Sequence, residues 1–151
     1  MLTIRLTPEV RAVMLDACKG SGVRETGGML FGEHVSEDAF RVVEATVAGT
    51  GSVATFVRGL LDSLRQLDRF FHRTKRDYRR FNYLGEWHSH PSFDLYPSAT
   101  DDRSMFDIVN DPGTGARFAL SLIVRRVNQD LEVKAFVYFP DGERQDGEVV
   151  Q

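Results

Sequence analysis

Apolar residues change their spacing repeatedly along this chain of 151 residues, and that alternation limits the possible folds more than any other feature. Leu2, Ile4 and Leu6 alternate with polar neighbours, the period of a strand with one buried face. Thr7-Pro8 follows, a hydroxyl that can cap a helix and then a proline at the first helical position, where a missing N–H is harmless. Val10, Val13, Met14, Ala17 and Cys18 recur at helical spacing, and the glycines at Gly20 and Gly22 end that helix. Residues 29–31 and 40–47 read as strands about a polar turn at 34–38. Leu60, Leu61, Leu64, Leu67, Phe70 and Phe71 form the apolar stripe of a second helix over residues 57–76. Residues 83–88 form a strand entering a loop with Pro91 and Pro97, and a third helix runs from near Ala99 to the stop at Asp111-Pro112-Gly113. Residues 118–124 and 131–139 are consecutive strands. The order predicts an α/β domain, a mixed sheet with helices covering its faces.

No repeat or low-complexity linker divides the sequence, so residues 1–151 are expected to form one domain. No apolar run approaches the length that spans a bilayer, and the first residues lack a basic start or a small-residue cleavage site, so neither membrane nor export is expected. A single cysteine, Cys18, rules out an internal disulfide and fits a reducing, cytoplasmic setting. The formal charge of −3 argues against nucleic acid as a partner. One segment runs the other way: Arg65, Arg69, His72, Arg73, Lys75, Arg76, Arg79 and Arg80 make a basic stretch. It reads either as a solvated helix face or as a docking patch for an acidic partner.

Chemistry concentrates in Gly85-Glu86-Trp87-His88-Ser89-His90-Pro91 and in Pro97-Ser98-Ala99-Thr100-Asp101. His88 and His90 are two apart, so on an extended chain both imidazoles point the same way. Asp101, at the start of the next helix, brings an oxygen ligand. Two neutral imidazoles and one carboxylate suit zinc, and three protein ligands leave a position open for water, as a catalytic site requires. Zinc acidifies such a water from about 15.7 towards ~7. Amide hydrolysis also needs a group to take and deliver protons, and a donor for the developing oxyanion. Ser98 is a candidate donor, although Ser-x-x-Asp ahead of an apolar helix also reads as a capping box. Glu86 shares the facing of His88 and is no obvious base, so the base must come from elsewhere. Trp87 alternates away from the histidines and reads as core; Asp94 and Asp102 read as loop and helix-start carboxylates. Cys18, on an apolar helix face, reads as a buried structural thiol.

The His88-Ser-His90, Ser98 and Asp101 spacing resembles the signature of the JAMM (MPN+) zinc metallopeptidases, and Glu25-Thr26-Gly27-Gly28-Met29-Leu30-Phe31-Gly32 resembles their upstream glutamate element. The resemblance covers nearly the whole chain. It implies the MPN fold of the JAB type, which is cytidine-deaminase-like. It also implies one catalytic Zn2+ held by His88, His90 and Asp101, with Glu25 as the acid/base and Ser98 as the oxyanion donor. Active members of the family are mostly isopeptidases acting on ubiquitin or ubiquitin-like proteins. Compact bacterial ones look like parts of conjugation systems with E1- and E2-like partners, antiphage defence operons among them. The expected substrate is therefore the C-terminal tail of a ubiquitin-like protein, lying as an added strand beside the site. Two other readings stand beside this one: a peptidase that processes a sulfur carrier, and a non-catalytic MPN-type interaction module. Residues 49–56 carry little structural signal, and a loop there could contact substrate.

Overall fold

The computed structural model describes residues 1–48, 64–113 and 115–151. Their elements run β1 (Thr3–Leu6), α1 (Pro8–Ser21), β2 (Gly27–Ser36), β3 (Ala39–Ala45), α2 (residues 64–73), β4 (Phe81–Ser89), α3 (Ala99–Asn110), β5 (Ala119–Val127), β6 (Asp130–Tyr138) and β7 (Arg144–Val150). The expected 49–56 loop and the first turns of the second expected helix lie outside the described residues.

The mixed α/β sheet expected from the sequence is present, and it closes on itself in the order β1-β3-β2-β4-β5-β6-β7, with β1 completing the ring against β7. Pairs β1–β3, β1–β7 and β4–β5 are parallel, and the rest are antiparallel. α1 begins as its sequence dictates. The Thr7 hydroxyl accepts from the Val10 amide at 3.3 Å with Pro8 just inside the helix, and Gly22, at φ 61°, ends it by donating its N–H to the Cys18 carbonyl. Its buried side chains Val10, Met14 and Cys18 join Ile4, Leu30, Trp87, Leu122 and Val137 in the main core. A second cluster, Met105, Val109, Ile123, Phe136 and Tyr138, seats α3 on the outer face of β5 and β6. β5 is buried on both faces, which is why it reads as a continuous apolar run. Phe70 of α2 packs on Phe31 and Phe81.

β4, α3 and β5 form a parallel strand–helix–strand unit. In such a unit the carboxyl end of the strand and the amino end of the helix meet at one rim, where ligands of α/β folds collect. His88 and His90 arrive at that rim from β4, and Ser98 and Asp101 from α3.

Candidate metal centre

Extended backbone through Ser89 turns His88 and His90 the same way, and their Nε2 atoms come to 3.0 Å from one another. Asp101 Oδ2 lies 3.4 Å from the Nε2 of His88 and 3.5 Å from that of His90. These three side chains form the candidate metal-holding group among the described residues. The edges of the triangle fit zinc, because a tetrahedral ion with bonds of about 2.0–2.1 Å separates its ligand atoms by about 3.3–3.4 Å. The donor chemistry fits as well. His90 Nδ1 is 2.8 Å from the Asp94 carbonyl, which can only accept, so Nδ1 carries the proton and Nε2 presents a lone pair. Asp101 Oδ2 already accepts from the Ser98 amide at 2.7 Å and the Ser98 hydroxyl at 2.8 Å. Acceptors thus converge on one point, as a cation requires.

Electrostatics favours the same protonation states. Burial pushes the His88 imidazole down, against opposing pulls from Asp101 and Glu25, and so favours the neutral form that ligates metal. Burial alone would push the Asp101 carboxyl up, but hydrogen bonds from Ser98 and the nearby imidazoles hold it below the usual carboxylate range. The His90 side chain is 2 % exposed while those of His88 and Asp101 are 23 % and 22 % exposed, so the open approach is over His88 and Asp101.

Glu25 precedes β2 and is exposed, on the other side of His88 from β5. Thr26 docks its backbone on β4: its amide donates to Ser89 Oγ at 3.0 Å, and its carbonyl accepts from the Ser89 amide at 2.8 Å. Gly27 then pairs with His88 and Gly28 with Trp87. A Cβ on Gly27 would lie 2.4 Å from the Trp87 carbonyl oxygen, and one on Gly28 would lie 1.9 Å from that of Thr46. Glycine at both positions therefore lets the start of β2, just after Glu25, lie close against β4 and Thr46.

Ser98 is the N-cap of α3 and forms the reciprocal box with Asp101 that the sequence offered as its second reading. Its hydroxyl accepts from the Asp101 amide at 3.1 Å and donates to the Asp101 carboxylate, so it aims the ligand as well as capping the helix. Trp87 is buried, as expected, and its Nε1 donates to the Thr46 carbonyl at 2.8 Å. Glu86 faces the Tyr83 hydroxyl at 3.4 Å and stands outside the converging group. Cys18 is buried, and burial raises its pKa, consistent with an unreactive thiol.

Sequence reasoning passed over three contributions: the Asp94 carbonyl that orients His90, Ser89 as the tie to the Glu25 strand, and Asp102, which is held by Arg144. Only Ser89 carried a local signal, its position between the two histidines. In the basic stretch, Arg73, Arg76 and Arg80 close on Glu44, Asp68 and Glu33 of the same chain, which favours the solvated-face reading. β4 itself is paired along one side with β2 and along the other with β5.

Residues 7–137 match the family described as prokaryotic homologs of the JAB domain. A protein of Enterobacter hormaechei subsp. hoffmannii (strain UCI 50), named CD-NTase/cGAS isopeptidase, is 38% identical over 113 residues, 72% of this chain. The match spans 59% of that relative's length. The solution structure of protein DSY2949 from Desulfitobacterium hafniense superposes with a TM-score of 0.67 at 22% identity, covering 97% of this chain and 91% of that one. A solution structure from Salinibacter ruber gives a TM-score of 0.56 at 20% identity, over 100% of this chain and 91% of the other. Both are likenesses of fold. No helix among the described residues is long and apolar enough to cross a membrane.

Proposed function

Because this chain belongs to the family of prokaryotic JAB-domain homologs, we propose that it is a zinc-dependent peptidase that hydrolyses the amide bond at the C-terminus of a ubiquitin-like protein. The observation that carries the proposal is the convergence of His88 Nε2, His90 Nε2 and Asp101 Oδ2 at separations of 3.0, 3.4 and 3.5 Å. The relative named as an isopeptidase supports the reaction class.

His88, His90 and Asp101 would hold the ion, which when bound would supply an acidified water and Lewis acidity at that point. Glu25, exposed beside His88, takes the proton of the attacking water and passes it to the leaving amine. Ser98 turns its hydroxyl from Asp101 towards the carbonyl oxygen as negative charge develops there. The substrate tail, ending in glycine, approaches over the open His88–Asp101 side. E1- and E2-like conjugation enzymes are the partners of such an activity, in the cytoplasm and in a setting such as antiphage defence.

The sulfur-carrier reading shares this chemistry and differs only in substrate. A panel of ubiquitin-like and sulfur-carrier proteins, each with a short C-terminal extension, separates the two. We expect cleavage after the terminal glycine of a ubiquitin-like member, loss of cleavage with a chelator, and recovery with zinc. Cleavage that persists without metal would contradict the proposal, and processing of sulfur carriers alone would change its substrate.

A further inference from the structure

The first turn of α3 carries Asp101, yet little apolar packing holds it in place. Ser98, Ala99 and Thr100 are exposed, and the first buried side chain of the helix is Met105, a full turn further on. A polar clamp from the last strand grips the turn instead. Arg144 of β7 donates through Nη1 to both Asp102 carboxylate oxygens, at 2.7 and 2.9 Å, and through Nη2 to the Tyr96 hydroxyl at 3.0 Å. Its guanidinium also lies over the rings of Tyr96 and Phe136, 4.9 and 5.6 Å from their centroids. The Tyr138 hydroxyl donates to Asp102 Oδ1 at 2.7 Å. Arg144 therefore holds the chain on both sides of the Ser98–Asp101 cap, at Tyr96 before it and at Asp102 after it.

From this geometry we infer that Arg144 is a positioning residue for the metal centre, fixing Asp101 through Asp102 and Tyr96. The inference rests on the metal reading above. Asp102 follows Asp101 directly in a hydrogen-bonded turn, so any shift of one moves the other, and the flat fork of arginine suits the double grip better than an ammonium does. Groups that orient metal ligands in this way change affinity without touching the ion.

The test measures zinc affinity by competition with a chelator, and the visible absorption of the cobalt(II)-loaded protein, for the native chain, Arg144→Met, Arg144→Lys and Tyr138→Phe. Arg73→Met, which opens an ion pair elsewhere, is the control. We expect Arg144→Met to weaken zinc binding by about 10–100-fold and to alter the cobalt spectrum. Arg144→Lys and Tyr138→Phe should fall between it and the native protein, and Arg73→Met should match the native protein. In an Asp102→Ala background, Arg144→Met should weaken zinc binding by less than it does alone, because one of the two grips of Arg144 is already gone. Native zinc affinity and an unchanged cobalt spectrum in Arg144→Met, even with a lower melting temperature, would overturn the inference and leave the metal reading intact. A native chain that takes up neither ion would overturn both. If Arg144→Met does not fold, Arg144→Lys and Tyr138→Phe decide by the same criteria.

Discussion

The Ser98 hydroxyl stands between two duties, since it donates to the Asp101 carboxylate while accepting from the Asp101 amide. Ser98→Ala removes the cap, at a cost of about 1 kcal/mol, and removes the donor proposed for the oxyanion. We expect a modest fall in melting temperature, zinc retained near one per chain, and turnover reduced by about 100-fold or more. Metal analysis and kinetics on the same preparation check this, and a loss of turnover no larger than the loss of folded protein would leave Ser98 as a cap alone. Glu33 is the opposite case, a buried carboxylate remote from the chemistry. It is held by Arg80 through two hydrogen bonds, at 2.8 and 2.6 Å, and by Arg41. The Arg80 hydrogen bonds, opposed by burial and helped by Arg41, keep its pKa below the ordinary value. A carboxyl depressed in the folded state adds stability above its unfolded pKa, and that stability disappears as pH falls through the folded pKa. Glu33→Gln should therefore cost about 1–2 kcal/mol at neutral pH, given that both arginines keep access to water. Urea titrations should show the gap from the native chain closing under acid, and a gap independent of pH would refute the assignment.

The strand–helix–strand unit of β4, α3 and β5 makes the site, and most of it was legible in the sequence. His88 and His90 are local to one strand, and Ser98 and Asp101 to one helix start, so spacing alone could align each pair. The Thr7-Pro8 start of α1 and the stop at Asp111 were legible for the same reason. β7 was not. Its Arg144-Gln145-Asp146-Gly147-Glu148 stretch shows no apolar alternation, and it is a strand because β1 and β6 supply its partners. The Arg144–Asp102 contact spans 42 residues and leaves no trace in either local segment. The same holds for the meeting of Gly28 with Thr46, which fixes the start of β2 just after Glu25. Gly28→Ala, whose Cβ would meet the Thr46 carbonyl oxygen at 1.9 Å, should cost about 1–3 kcal/mol in overpacking. It should also lower activity beyond that loss, because the strand carrying Glu25 must move. A native melting curve for this variant would contradict a close approach of Gly28 to Thr46.

Closure of the sheet ties β7 to β1, and the candidate metal rim lies where β4 leaves that ring. With both sides of β4 paired, the proposed approach of substrate over His88 and Asp101 does not use an edge of β4 itself. Because the candidate metal site draws on β4 and α3 together, an ion bound there would stabilise the folded state over the unfolded one. At free zinc near 100 times its dissociation constant the gain is about 2.7 kcal/mol, or roughly 5–10 °C in melting temperature for a domain of this size. Calorimetry with zinc and then with excess chelator should show that rise and its reversal, whereas equal melting temperatures would mean that the folded state has no preference for the ion.

Metal content and cleavage of a ubiquitin-like C-terminal fusion, measured side by side for the native chain and Glu25→Ala, test the proposed chemistry most directly. We expect about one zinc per chain in both, and cleavage by the native chain alone. Folded native protein without zinc, or a Glu25→Ala variant that cleaves at the native rate, would contradict it.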